Sequence, residues 1–106
     1  MKLYLVTRLD LTPAQQAVQA AHALRQFAAD HPQLDAVWFA NTNTIALLVV
    51  ADEKELAELA DHAEWAGAPI ARFREPDMAL SLTAVALGPS QPSRRLTRRL
   101  RPALSP

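Results

Sequence analysis

No cysteine occurs among the 106 residues. That excludes disulfides, thiol nucleophiles and thiolate zinc sites, and it suits a reducing compartment. Glycine is nearly as scarce, with only Gly67 and Gly88. Neither a Gly-rich phosphate loop nor a dinucleotide fingerprint can be built from two isolated glycines. None of Ser81, Ser90, Ser93 and Ser105 sits in a nucleophile elbow, and His22, His31 and His62 lack metal-ligand spacing. Neither cofactor nor metal is expected. The longest apolar run, Ile45 to Ala51, is far too short to span a bilayer, and Leu3 to Val6 is too short for a secretory signal core. No membrane partner is expected, and a cytoplasmic protein is. The formal net charge is zero, so any electrostatic signal lies in its distribution. Six acidic residues crowd between Asp52 and Glu64, and Arg94, Arg95, Arg98, Arg99 and Arg101 crowd near the end. A charge run is ordinarily a solvated face, but such asymmetry also marks contacts with nucleic acid or acidic surfaces.

Half of the residues are hydrophobic, and the length suits one domain with its own core. Lys2 to Thr7 reads as a strand buried on both faces. Thr12-Pro13-Ala14-Gln15 opens a helix: Thr12 caps, Pro13 suits the first position and Gln15 completes a capping box. This helix is expected to run to Asp30, where His31-Pro32 ends it. Leu34 to Asn41 reads as a connector carrying Trp38 and Phe39, and Thr44 to Ala51 as a second buried strand. Asp52 with Glu55 forms another capping box, and Leu56, Leu59, Ala60 and Ala63 share one face of a helix that Gly67 stops. Ile70 to Arg74 reads as an edge strand and Leu82 to Leu87 as a buried one. The expected fold is a single α/β domain, with a four-stranded, mostly parallel mixed sheet and helices on both faces. Residues 1–89 form the domain on this reading. Residues 90–106 form a Pro/Arg-rich tail, with a short helix at 93–101 whose Leu96 and Leu100 face inward, either packed on the domain or partly disordered.

One feature of the first helix invites a functional reading. At 100° per residue, Gln19, His22 and Gln26 lie at about 40°, −20° and 20° from Gln15, a single narrow stripe. Ala14, Ala17, Ala21 and Ala28 mark a neighbouring small-residue face that can lie close to a sheet. A polar stripe on an amphipathic helix is ordinarily its solvent side, and glutamine costs little there. Yet this stripe begins just after the first strand ends. In open α/β sheets, ligands gather at the carboxyl ends of strands beside helix N-termini, and a histidine there can act as a general base.

The segment Val6-Thr7-Arg8-Leu9-Asp10-Leu11, followed by Gln19-Ala20-Ala21-His22-Ala23, resembles the opening of the type II peptidyl-tRNA hydrolases. Asp52-Glu53-Lys54-Glu55-Leu56 looks like that family's second helix start, and Gly67-Ala68-Pro69 like its Gly-Leu-Pro turn. Leu82 to Pro89 looks like its last strand, which ends in Gly-Pro. The correspondence runs in order from residue 2 to about 100. Two departures stand out: the family's lysine, seven residues before the histidine, is Gln15 here, and a shorter Arg74-Glu75-Pro76-Asp77-Met78 replaces the family's Asp-Ala-Gly-x-Thr loop.

The resemblance implies hydrolysis of the ester that joins a peptide to the terminal ribose of tRNA, without metal or cofactor. It places His22 and Thr83 at functional positions, with Arg8, Asp10 and Gln19 as matched neighbours on the substrate side. Glu75 or Asp77 stands in for the lost carboxylate, though neither is matched by motif. Backbone amides from Thr12 to Gln15 and the Thr83 hydroxyl are candidates to steady a developing oxyanion. Arg8, Arg25, Arg72 and Arg74 are candidate phosphate contacts on tRNA, and the Arg94 to Arg101 cluster extends them. Asp77 as a turn residue and Thr83 as an ordinary strand threonine are the plainer readings. Two other functions remain compatible: a non-catalytic RNA- or protein-binding module, and a hydrolase for a small ester or amide unrelated to tRNA. A homodimer is plausible from the small-residue faces.

Overall fold

The computed structural model describes residues 1–105. In chain order they form strand β1 (Lys2–Arg8), helix α1 (Pro13–Asp30), helix α2 (Pro32–Asn41), strand β2 (Thr44–Val50), helix α3 (Glu53–Trp65), strand β3 (Ile70–Glu75), a 3-10 turn (Pro76–Met78), strand β4 (Ser81–Leu87), helix α4 (Gln91–Thr97) and strand β5 (Arg101–Pro102). No helix is long and apolar enough to cross a membrane among these residues.

The domain is α/β, with one mixed sheet in the order β3-β4-β1-β2-β5. The sheet departs from expectation in two ways. It has a fifth strand, because Arg101 pairs with Val49 and Pro102 with Leu48. And it is not mostly parallel: only β1 and β2 pair in parallel, while β4 inserts antiparallel between β1 and β3. The physical reason is the short link from β3 to β4, which permits a hairpin and no crossover. β1, β2 and β3 nevertheless point the same way. Their carboxyl ends therefore share one edge with the start of β4 and with the N-termini of α1 and α3.

Strand alternation divides the core in two. Val6, Val85 and Leu87 face α3, where Leu56, Leu59, Ala60 and Ala63 meet them, and Leu96 and Leu100 pack against this cluster from the α4 side. Leu3, Leu5, Ala84 and Ala86 face α1, covered by Ala20, Ala23 and Phe27, with Trp38 of α2 alongside.

The helix signals act largely as read. The Thr12 hydroxyl accepts from the Gln15 N–H (3.2 Å) while Gln15 Oε1 accepts from the Thr12 N–H (3.0 Å), a complete capping box. Asp52 caps α3 by accepting from the Glu55 N–H, but Glu55 reaches one residue further back, to the Ala51 N–H. Gly67 ends α3 at φ +84°; its N–H donates to Glu64 O and that of Ala68 to Ala63 O, the paired bonds of a Schellman stop.

Helix α2 replaces the expected connector. Its apolar residues fall all around the axis: Trp38 is buried while Val37 and Phe39 are exposed. Periodicity carries no sign of such a helix. It is held instead by the Trp38 Nε1–H donating to Thr44 O (3.0 Å) and by Pro32 at its first turn.

Candidate active site

The polar stripe on α1 does not act as one surface. The face that meets the sheet consists of Gln16, Gln19, Ala20, Ala23 and Phe27, so Gln19 is buried. The expected sheet-facing alanines, Ala14, Ala17 and Ala21, are exposed instead. Gln15 is exposed and committed to the cap, and Gln26 donates to Asp30 Oδ1 (2.8 Å). His22 lies on the flank toward β3, where its ring stacks on Phe73 at a centroid distance of 4.6 Å and an interplanar angle of 15°. Stacking engages one ring face, and the residue is otherwise exposed.

A line of hydrogen bonds runs beside His22. The buried Thr83 hydroxyl donates to Gln19 Oε1 (2.6 Å), and Gln19 Nε2–H donates to Glu75 Oε1 (2.9 Å). The Asp77 N–H donates to Glu75 Oε2 (3.3 Å). The Gln19 bond is the main cause that holds the Glu75 carboxyl below its ordinary range, followed by the Asp77 amide; His22 adds a smaller push in the same direction. Glu75 is therefore an ionised carboxylate with both oxygens oriented. Asp77 sits beside it on the exposed 3-10 turn.

Thr83 reaches this line because of an irregularity in the sheet. Phe73 pairs with Ala84 and Arg74 with Leu82, so Thr83 is the extra residue of a β-bulge. Strict alternation would turn Thr83 toward α3 with Val85; the bulge re-aims it toward α1. Its carbonyl accepts from the equally buried Thr7 hydroxyl (2.9 Å), which fixes the bulge to β1. The hairpin that carries Glu75 closes through Ala79 and Leu80, at φ 54° and 61°. Left-handed geometry at two non-glycine residues is strained, and the chain has no glycine there to relieve it.

The matched residues at the end of β1 form a second group. Arg8 donates to both Asp10 oxygens (3.0 Å each), to Ser81 Oγ (2.6 Å) and to Leu82 O (3.1 Å). The pairing lowers the Asp10 carboxyl and raises Arg8. Glu53 Oε2 accepts from the Leu82 N–H (2.7 Å), which ties the start of α3 to the start of β4. Arg8 thus braces the floor at the mouth of β1 and β4.

Several expected contacts are already taken. The Thr12 and Gln15 amides are used by the capping box and Pro13 has no N–H, so of the expected oxyanion donors in this segment only the Ala14 amide is left outside the cap. Arg72 pairs with Glu64 (2.6 Å) and Asp61 (3.1 Å) on α3 rather than facing the site. Arg74 is exposed near the hairpin, with a long contact to Leu80 O (3.4 Å), and Arg25 is exposed on α1. Sequence reasoning missed Phe73, Ser81 and Glu53. Phe73 had a signal, since it alternates with Glu75 on one strand face. Ser81 and Glu53 had none, because each joins through a long-range bond. The buried Gln16 was missed as well; it donates to Leu11 O (2.9 Å), and its Oε1 has no partner among the described residues.

His22, Phe73 and Glu75 thus stand at the surface, with Gln19 and Thr83 buried behind them. No group of three His, Asp or Glu side chains is arranged to hold a metal ion among the described residues. The arrangement offers an accessible imidazole, an oriented carboxylate and a bonded support behind it.

A solved structure of a protein of unknown function, Atu0240, from Agrobacterium tumefaciens strain C58 matches with a TM-score of 0.71 at 13% identity, over 95% of this chain and 96% of that one. At that identity it shows a shared fold. No curated protein matches the chain. The family described as Peptidyl-tRNA hydrolase PTH2 matches residues 1–101, from β1 to the start of β5, and the chain belongs to that family.

Proposed function

We propose that the chain hydrolyses the ester bond of peptidyl-tRNA, with His22 as the base that activates water and Glu75 as the carboxylate beside it. One observation carries this reading: the Thr83–Gln19–Glu75 line of hydrogen bonds ends next to an accessible histidine stacked on Phe73. His22 accepts a proton from water as the water oxygen bonds to the ester carbonyl carbon. The carbon–oxygen bond to the ribose then breaks, and the proton passes from His22 to the leaving ribose oxygen. Glu75 favours the imidazolium that forms in between, because a fixed opposite charge stabilises a developing cation. Glu75 takes this role rather than Asp77, since the carboxylate of Glu75 is held on both oxygens. Gln19 and Thr83 position Glu75 without touching the reacting atoms. General-base catalysis supplies about 10²–10⁴-fold, enough for an activated ester.

The test is single-turnover hydrolysis of an N-blocked aminoacyl-tRNA, with the parent protein beside His22→Ala and Glu75→Gln. The His22 variant is expected to lose about 10²–10⁴-fold in rate while keeping its tRNA affinity. No cleavage by the parent, at protein concentrations above its measured tRNA affinity, refutes the hydrolase reading and leaves a binding module. Cleavage of a small ester at the same efficiency as the tRNA ester points to a hydrolase that ignores the RNA.

A further inference from the structure

We infer that the outer face of α4 and the following turn is a binding surface for the phosphate backbone of tRNA, which seats the body of the RNA while its 3′ end lies at His22. This rests on the function proposed above for its choice of RNA.

The face is built by the way α4 packs. Ser93, Thr97, Leu96 and Leu100 turn inward toward α3. Ser93 and Thr97 are fully buried and bonded within the helix, the Thr97 hydroxyl donating to Ser93 O (2.8 Å). What remains outside is Arg94, Arg95, Arg98 and Arg99, then Arg101 on β5, all exposed. A spacing of four places Arg94 above Arg98 at the helix end, with roughly 5–6 Å between their Cβ atoms, and Arg99 follows in the turn.

None of these five arginines forms an ion pair among the described residues, although acidic α3 packs directly against α4. Arg8 and Arg72, by contrast, are fully engaged with carboxylates. The positive charge that remains available is therefore concentrated on this face. A cluster of unpaired guanidinium groups suits the repeated oxygens of a phosphate backbone, because each offers a planar fork of donors.

Position links the face to the candidate site. Arg99 and Arg101 line a groove of about 260 Å³ with Leu9, Val50, Ala51 and Glu55, at the carboxyl ends of β1 and β2. Glu55 is the one acid in that lining, and its carboxylate already accepts from the Ala51 N–H. The groove therefore opens on the same sheet edge as His22 and Glu75. β5 and β3 are the two outermost strands, about 19 Å apart at the usual strand spacing. α4 packs on the α3 face of the sheet while His22 lies on the α1 face, so an RNA that uses both must pass around the sheet edge. A stacked strand rising about 3.4 Å per nucleotide needs more than about six nucleotides for that path. An RNA whose end lies at His22 thus meets these arginines through its body rather than through its terminal nucleotides.

The experiment compares the parent with a variant carrying Arg94→Gln, Arg95→Gln, Arg98→Gln, Arg99→Gln and Arg101→Gln. Glutamine keeps helix propensity, and all five positions are exposed, so thermal unfolding serves as the fold control. Binding of a deacylated tRNA is measured against salt concentration. Each phosphate contact contributes about 0.7–0.9 to the slope of log K against log salt, so the variant's slope is expected to flatten by about 3.5 to 4.5 units. Affinity should fall at least tenfold at low salt. Cleavage of an N-acetylaminoacyl ester on a CCA trinucleotide, too short to reach the face, should be unchanged.

Equal tRNA affinity and equal salt slope in parent and variant overturn the proposal. So does a parent that does not bind tRNA. Loss of binding to phosphatidylserine vesicles with tRNA binding intact also overturns it, and makes the face a membrane contact. A parent that binds tRNA through these arginines but cleaves nothing upholds the surface and refutes the hydrolase.

Discussion

Gln19 joins the structural core to the candidate site, and replacing it tests whether that connection is real. In Gln19→Met the chain keeps a side chain of similar length but loses both polar partners. The Thr83 hydroxyl is fully buried. Its remaining acceptor is Phe73 O at 3.5 Å, too long for a good O–H···O bond. A buried hydroxyl without a partner costs about 1–3 kcal/mol. With an unfolding entropy near 2.1 cal/mol/K per residue, about 2 kcal/mol corresponds to a Tm loss of about 9 °C for a chain of 106 residues. Thr83→Val leaves the Gln19 carbonyl unpartnered in the same way, although Gln19 keeps its bond to Glu75.

The decisive variant is the double one. Gln19→Met with Thr83→Val removes donor and acceptor together, and replacing both ends of a buried bond by apolar groups is nearly neutral. The double variant should therefore lose about 1–2 kcal/mol less than the sum of the two single losses. Urea unfolding measures this, with an unchanged m-value showing that only stability has moved. Losses that add to within about 0.5 kcal/mol would mean that the two side chains do not interact, and the account of how Glu75 is held would fall with them.

A Cβ added to Gly88 would meet Phe27 Cζ at 2.7 Å and Cε1 at 3.0 Å, with Pro69 Cβ at 3.1 Å. Phe27 is fully buried and has no room to withdraw, so Gly88→Ala should lose about 1–3 kcal/mol in thermal unfolding, and a parent-like Tm would contradict this close packing. In acid, Asp10 and Glu75 are both held below their ordinary values of 3.8 and 4.5. A lowered carboxyl contributes stability above its unfolded value and loses it as the pH falls through its folded one. The Tm should therefore decline below about pH 4.5, and Asp10→Asn should flatten part of that decline between pH 4.5 and 3. An identical pH profile for Asp10→Asn would show that its pairing with Arg8 adds nothing to folding.

Local signals were legible in the sequence and pairings across the chain were not. Thr12 with Gln15, Asp52 and Gly67 set helix boundaries because caps are made by neighbours within a few residues. Helix α2 was not legible, since Trp38 points inward while Val37 and Phe39 point out, and no stripe forms. The orientation of β4 was not legible either. An apolar run reads the same in both directions, and only the left-handed Ala79-Leu80 turn reverses the chain. Alanine and leucine give no hint of such a turn.

The candidate site shows the same division at the scale of single side chains. A helical wheel treats Gln15, Gln19, His22 and Gln26 as equivalents, yet their surroundings separate them. Gln15 is turned back to Thr12 by the cap. Gln26 bonds along its own helix to Asp30. Gln19 stands toward the sheet because a bulge in β4 presents Thr83 to it, and a buried amide is tolerated there only with both of its ends bonded. His22 remains accessible because Phe73 covers only one face of its ring. The polar stripe is therefore neither a solvent face nor an active-site wall along its whole length. One residue serves the helix end, one the helix surface, and the two between them meet the residues of β3 and β4 that form the site.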